Sequence, residues 1–282
     1  MIRAIGYELL KMSSHKKSYI PVAGYILFLA LCYIAFKNST TSLAAMLGGF
    51  ELDRNEAARY LDGFFFARIL LVPTFIILMP IVMAALGGDC VAGEIQEGSL
   101  KLYMARPRSR TQVILSKFCA IYCAGLIYSA LFSVTGLLLG IGLFGIGKVQ
   151  ILLVPGQVFG ATVAVMNNGE ALLRYFLTAF YFSFSLMTLG SLALFFSTLF
   201  NRMSSAAIAV ITVYFVSYVI VSLPFGEWLR PWLISEIANH AFLFWLTPIP
   251  MGKLIVNLST LGLYISTFLT AAIITFNCKD IR

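Results

Sequence analysis

Six long stretches of the chain carry almost no charge, and they strongly limit what the chain can fold into. They cover approximately residues 18–36, 64–86, 113–146, 171–200, 205–225 and 254–276. A helix needs about 20 apolar residues to cross a bilayer, and only helices and closed barrels satisfy their backbone hydrogen bonds there. The stretches are too long and too uniformly apolar for barrel strands. We therefore expect an all-α polytopic membrane protein, built as one transmembrane domain over residues 1–282.

The composition agrees with a membrane protein, and the spacing of its cysteines argues against a metal or redox site. Hydrophobic residues make up 60% of the chain and charged residues 11%, whereas about 25% of the residues in soluble domains are charged. The five cysteines show neither metal-ligand nor redox spacing. We expect no catalytic residue, no metal site and no nucleic-acid partner, and we expect membrane lipids around the apolar surface.

Six spans place both ends of the chain on one side of the membrane. In that arrangement twelve Lys and Arg residues lie on the side of the termini and eight lie on the other, which predicts cytoplasmic termini by the positive-inside rule. Residues 149–166 leave an alternative open, because this apolar segment is nearly long enough to cross and would reverse everything after it. Residues 226–252 are expected to form a re-entrant segment of short helices on the outer side.

The first 17 residues, before span 1, carry an amphipathic pattern. Ile2, Ile5, Leu9 and Met12 recur at helical spacing, which predicts a helix in the membrane interface. A solvated basic tail is the alternative.

Four residues inside the predicted spans interrupt their apolar character. Pro73 and Pro80 are expected to kink span 2, because each removes a backbone hydrogen bond. Arg68 and Arg174 lie near the outer ends of their spans, where their side chains are expected to reach lipid head groups.

The segment between spans 2 and 3 is the most highly charged part of the chain, with acidic residues followed by basic ones. Gly87 and Gly88 are expected to end span 2, and Asp89 to cap a new helix over residues 89–106. Pro107 would end that helix. Ser109, three residues before Gln112, then predicts a capping box at the start of span 3.

Residues Gly142 to Lys148 match the glycine spacing of a phosphate-binding loop. Val149 stands where such a loop needs Ser or Thr for magnesium, and no strand is predicted before it. We therefore reject an ATP site in this chain.

The charged segment also resembles the cytoplasmic loop of ABC type-2 permeases, the membrane subunits of ATP-binding-cassette exporters. The residues that carry the resemblance are Asp89, Glu94, Gly98, Ser99, Leu100, Pro107, Arg110 and Lys117. One position departs from the pattern, since Ser99 stands in place of Thr. The arrangement of six spans with this loop between the second and the third is similar as well.

The resemblance implies that residues 89–106 form a coupling helix that docks on a separate ATP-binding subunit. That subunit would hold ATP and magnesium, and two copies would assemble with two membrane subunits, as a homodimer or with a related second permease. The expected docking residues are Asp89, Val91, Glu94, Ile95, Glu97, Gly98, Ser99, Leu102, Arg106 and Arg110. Among them Glu94 is expected to be the main orienting charge.

Export of an amphiphile across the bacterial cytoplasmic membrane is the function that this resemblance favours, with no enzymatic activity in the chain itself. A polar stripe in span 4, formed by Thr178, Tyr181, Ser185 and Thr188, could line the substrate path or could bond neighbouring helices. Two other functions stay open. The same fold could serve periplasmic copper-enzyme maturation by exporting a sulfur- or metal-related species, or the chain could be an ion-coupled carrier without an ATPase.

Overall fold

The computed structural model describes residues 2–14, 16–38, 62–100, 109–147, 150–154, 162–223 and 228–279. Within these residues six helices are long and apolar enough to cross a membrane, which confirms the all-α polytopic fold class. They are span 1 (Ile20–Asn38), span 2 (Gly63–Gln96), span 3 (Arg110–Phe144), span 4 (Asn168–Leu199), span 5 (Met203–Ser222) and span 6 (Met251–Cys278).

Span 4 is the centre of the bundle. It packs against spans 2, 3, 5 and 6, and 78% of its most apolar window is buried, against 11% for spans 1 and 6. Most of the apolar surface of spans 1 and 6 therefore faces outward, where a transmembrane helix meets lipid.

Span 2 does not end at its glycine pair, contrary to the sequence prediction. The helix continues through Gly87 and Gly88, and Asp89 has helical dihedral angles of −75° and −26°, so Asp89 does not cap a new helix. The glycines serve close packing instead. A Cβ atom on Gly87 would lie 2.4 Å from Cβ of Ala193 in span 4, and one on Gly88 would lie 3.2 Å from the backbone nitrogen of Ala207 in span 5.

Two π-helical stretches lie within span 2, at Thr74–Leu78 and Asp89–Gly93. The first directly follows Pro73, which lacks a backbone N–H and so disturbs the regular helical bonding. The second lies near the end of the span and packs against spans 4 and 5.

A β-hairpin occupies the segment that sequence analysis left open. Strands β1 (Gln150–Val154) and β2 (Thr162–Met166) pair antiparallel. An antiparallel pair returns the chain to the end of the bundle from which it came, so the hairpin adds no span.

Three short helices lie between spans 5 and 6: Arg230–Trp232, Ile234–Asn239 and His240–Trp245. Arg174 of span 4 is bound to this segment and does not reach toward head groups as expected. Its side chain is 7% exposed. Its Nη1 donates to the carbonyl oxygens of Phe244 and Leu246 at 3.1 and 2.8 Å, and its Nη2 pairs with Glu170 at 2.6 Å.

The N-terminal helix, Ile2–Ser14, turns its predicted apolar face toward the protein. Ile5, Leu9 and Met12 are half-buried, and Glu8 on the same face is buried. Leu10, on another face, is 71% exposed. The helix packs against span 3, so the predicted interfacial face is in part an intramolecular contact.

Candidate functional site

The charged segment begins as the last two turns of span 2. The helix runs through the π-helical stretch Asp89–Gly93 and the short α-helical stretch Glu94–Gln96, and it breaks at Gly98. Gly98 has a φ of 71°, in the left-handed region that favours glycine. Gln96, Glu97 and Gly98 are exposed. We call residues 96–98 the exposed turn.

Glu94 lies beneath the exposed turn, in a buried ion cluster. Its carboxylate oxygen Oε1 accepts hydrogen bonds from Nζ of Lys11 at 2.6 Å and from Nζ of Lys117 at 2.7 Å. Lys117 Nζ also lies 3.5 Å from Oε2 of Glu8. The ion cluster, formed by Glu8, Lys11, Glu94 and Lys117, thus joins the N-terminal helix, the end of span 2 and the start of span 3.

Glu94 therefore does not stand at the surface to orient a partner, as the sequence analysis expected. Its side chain is 5% exposed and that of Lys117 is fully buried. Buried charges need compensating partners, and removal of one partner from such a pair costs about 3–5 kcal/mol. Lys117 of span 3 compensates the negative charge of Glu94, and this ion pair connects the exposed turn to the bundle.

Ser197 of span 4 binds the π-helical stretch from the other side. Its hydroxyl oxygen accepts hydrogen bonds from the backbone N–H groups of Val91 and Ala92 at 3.1 and 2.8 Å, and it donates to the carbonyl oxygen of Gly88 at 2.8 Å. Backbone groups released by the wider turn are thereby satisfied. Sequence analysis missed this residue, because a lone serine in an apolar span carries no signal of its partner.

Arg110 and Lys279 donate hydrogen bonds to carbonyl oxygens at the C-terminal ends of spans 6 and 4. Arg110 Nη1 donates to the carbonyl oxygens of Phe276, Asn277 and Lys279, at 3.2, 3.0 and 2.9 Å. Lys279 Nζ donates in turn to the carbonyl oxygen of Thr198, at 2.8 Å, and burial lowers the pKa of Lys279. Cations near helix C-termini are stabilised by the last carbonyl groups. Arg110 Nη1 is thus bonded within the chain, while the residue is partly exposed, and its docking role stays a prediction.

The remaining predicted docking residues divide by exposure. Val91 is buried, Asp89, Ile95 and Ser99 are partly exposed, and Glu97 and Gly98 are exposed. Leu102 and Arg106 lie outside the described residues. Val91 therefore packs in the core of the bundle. Ser109 does cap span 3, and its side chain accepts a hydrogen bond from the backbone N–H of Gln112.

The polar stripe of span 4 lies inside the protein. Thr178, Tyr181, Ser185 and Thr188 are at most 2% exposed. Tyr181 donates to the carbonyl oxygen of Ile237, and Thr178 accepts from Nε1 of Trp245, each at 3.0 Å. Ser185 and Thr188 donate to carbonyl oxygens of their own helix. Thr178 and Tyr181 therefore bond span 4 to the short helices that precede span 6, and a role of the stripe in a substrate path stays a prediction.

The glycine-rich segment after Gly142 is the C-terminus of span 3. Gly145 has a φ of 73° at the helix end, and the backbone N–H of Gly147 donates to Oδ2 of Asp62 at 2.7 Å. In the described part of the chain no group of three or more His, Cys, Asp or Glu side chains could hold a metal ion.

Comparison with known families agrees with this arrangement. The family model described as ABC-2 family transporter protein matches residues 21–278, which includes all six spans and the charged segment. No curated protein matches the chain. Since the family match covers nearly the whole sequence, the chain belongs to the ABC-2 transporter family.

Proposed function

We propose that this chain is the permease subunit of an ABC exporter, and that the exposed turn is its contact with a separate ATP-binding subunit. The observation that carries the proposal is the difference in exposure between the exposed turn and Glu94, the buried residue that anchors it. Glu97 and Gly98 are exposed, whereas Glu94, a few residues earlier, is held by two lysine side chains.

The residues just before the exposed turn connect it to several helices of the bundle. Because span 2 continues without a break to Gln96, a displacement of the turn moves the end of the span directly. The ion cluster passes the same displacement to span 3 and to the N-terminal helix, and Ser197 passes it to span 4. A contact so joined to three spans suits the transmission of force from an ATP-driven partner.

The partner would supply the ATPase activity. Members of the family form the membrane component of a transporter and are not themselves catalytic, so we assign ATP and magnesium to two ATP-binding subunits. Two permease subunits would form the membrane part, as a homodimer or with a related chain. Lys11, Lys117 and Lys279 lie at the same end as the exposed turn, and the positive-inside rule favours a bacterial cytoplasmic location for that end.

We propose an amphiphile as the substrate class, and the charge distribution in the spans supports transport powered by an ATPase. Charged side chains of the spans lie near span ends, with Lys117 in the ion cluster and Arg68 and Arg174 at the opposite end. Ion-coupled carriers place ionisable groups near the midplane. The arrangement therefore favours transport powered by an ATPase.

The test is ATP turnover by the ATP-binding subunit reconstituted with this permease in liposomes. Glu97→Arg reverses the charge of the exposed turn, and we expect permease-dependent turnover at a limiting permease concentration to fall about tenfold, the equivalent of about 1.4 kcal/mol of docking energy. Lys253→Glu, a charge reversal at an exposed position of the opposite end, is the matched control. Equal turnover in wild type and Glu97→Arg would contradict the proposed contact.

A further inference from the structure

The three short helices between spans 5 and 6 lie beside the spans and not beyond their ends. The hydroxyl of Tyr181, thirteen residues after the start of span 4, donates to the carbonyl oxygen of Ile237 at 3.0 Å. The hydroxyl of Tyr264, thirteen residues after the start of span 6, donates to the carbonyl oxygen of Trp232 at 2.7 Å. Thirteen residues of helix rise about 20 Å. The short-helix segment, residues 228–246, therefore reaches into the depth of the bundle.

Glu236 is the only acidic residue of the short-helix segment. It lies between Ile237 and Ser235, whose hydroxyl bonds with that of Ser217 in span 5 at 2.7 Å. Its oxygen Oε2 is buried and has no hydrogen-bond partner among the described residues. Burial raises the pKa of Glu236, and the positive charge of Arg230 opposes part of this rise. An ionisable side chain enclosed at the depth of the spans is costly, and such a residue is a candidate for function.

Arg230 is the cation that acts on this carboxylate. The helix of Glu236 packs against spans 4 and 5 and against the two neighbouring short helices. Span 5 contains no charged residue, and the third short helix contributes His240. Span 4 contributes Arg174 and Glu170, which pair with each other. The phenols of spans 4 and 5 ionise only at about pH 10; they are Tyr175, Tyr181, Tyr214 and Tyr218.

We propose that Glu236 and Arg230 form a proton-responsive contact within the short-helix segment. When Glu236 is ionised, its carboxylate attracts the guanidinium of Arg230. When Oε2 takes up a proton from the water on that side of the membrane, the side chain becomes neutral and Arg230 is released. The position of the first short helix, Arg230–Trp232, then depends on the pH of that compartment. This contact lies at the end opposite the exposed turn and goes beyond the proposed transport function.

The tryptophans of the chain make this response measurable. All three lie in the short-helix segment, at Trp228, Trp232 and Trp245, so the intrinsic fluorescence of the chain reports on this segment. The test titrates the full chain alone, in phosphatidylcholine nanodiscs, from about pH 8 to about pH 4. We expect a fluorescence transition centred above pH 4.5, the ordinary pKa of a glutamate. A flat profile across this range would overturn the proposal.

Four variants assign the transition to its groups. Glu236→Gln and Arg230→Gln should each abolish it, because the contact needs both charges. His240→Gln should leave its midpoint unchanged, since burial and the charge of Lys253 lower the pKa of His240. Glu97→Gln, in the exposed turn, is the control and should keep it too. A transition that persists in Glu236→Gln, or one that disappears in His240→Gln, would contradict the assignment.

The thermal unfolding midpoint gives a second test with a definite sign. A raised pKa means that the folded chain binds the proton more tightly than the unfolded chain, so the ionised carboxylate destabilises the fold. Glu236→Gln imitates the protonated side chain and should raise the midpoint at about pH 8 by about 2 °C or more. The gain should shrink as the pH falls through the pKa of Glu236, and a lower midpoint at pH 8 would overturn the proposal. Both tests omit the ATP-binding subunit, so this proposal and the transport function fail independently.

Discussion

The two ends of the helical bundle compensate their buried charges differently. At the end that carries the exposed turn, one oxygen of Glu94 serves both Lys11 and Lys117, so charged side chains join three helices. At the opposite end, Arg174 donates to the carbonyl oxygens of Phe244 and Leu246 and pairs with Glu170 of its own helix. Both ends have cations bonded to main-chain carbonyl oxygens, and the shared carboxylate of Glu94 is what distinguishes the first. Charges that share an oxygen can exchange partners when neighbouring helices shift, whereas a side chain bonded to main-chain carbonyls keeps its place unless the segment itself moves. We therefore expect the ion cluster to transmit a change and the Arg174 site to stay fixed.

The largest effect should follow from Glu94→Gln, which leaves Lys117 buried without its closest carboxylate. We expect a loss of about 3–5 kcal/mol in the free energy of unfolding, measured by SDS titration in mixed micelles. Glu97→Gln, three residues on but exposed, should change it by less than about 0.5 kcal/mol. The double substitution Glu94→Gln with Lys117→Met should recover part of the loss. Equal losses in the two single variants would show that the ion cluster does not stabilise the fold.

Arg174→Met tests the opposite end. The variant loses the ion pair with Glu170 and leaves two carbonyl oxygens without a donor, so we expect a loss of about 2–3 kcal/mol. Hydrogen exchange should rise in residues 234–246 and stay unchanged around residues 94–98. Arg202→Met, at an exposed position, is the control. Faster exchange at both ends would contradict the separation of the two regions.

Ser197→Ala removes one hydroxyl group that serves three backbone groups of the second π-helical stretch. The expected cost is about 1–2 kcal/mol, because the N–H groups of Val91 and Ala92 stay buried without an acceptor. Ser191→Ala is the matched control on the same helix, since its hydroxyl only donates to the carbonyl oxygen of Thr188. Similar unfolding free energies for the two variants would contradict the claim that Ser197 couples span 2 to span 4.

The smallest effect should come from Trp245→Phe, which deletes one hydrogen bond to Thr178 at the opposite end. Hydrogen bonds between membrane helices contribute about 0.6 kcal/mol on average, and we expect a loss near that value. Trp232→Phe, at a position 64% exposed, should have no measurable effect. A loss above about 2 kcal/mol would mean that Trp245 acts through packing and not through this bond.

The sequence predicts the parts of the fold that depend on local composition. The six spans follow from hydropathy, because the bilayer sets both their length and their apolar character. Ser109 is a correct N-cap prediction, since capping depends on a few neighbouring residues. The family follows from the charged segment for the same reason, as its pattern is contiguous.

The missed features are those decided by partners distant in sequence. Gly87 and Gly88 look like a helix end in isolation, yet they lie where spans 4 and 5 approach too closely for a Cβ atom. Glu94 looks like a surface charge, and only the packing of the N-terminal helix and span 3 places Lys11 and Lys117 beside it. Lys11 and Glu94 are 83 positions apart and Glu94 and Lys117 are 23 apart. Contacts at these separations produce no local sequence pattern.

The most direct test of the central claim is disulfide-specific crosslinking between the permease and its ATP-binding subunit in native membranes. Cysteine is introduced by Glu97→Cys in the exposed turn, by Ala92→Cys at a buried position just before it, or by Trp228→Cys at the opposite end. All three are made in a Cys278→Ser background that removes an exposed native thiol. We predict capture of the ATP-binding subunit from position 97 and none from positions 92 and 228. Capture from position 228, or none from position 97, would contradict the account.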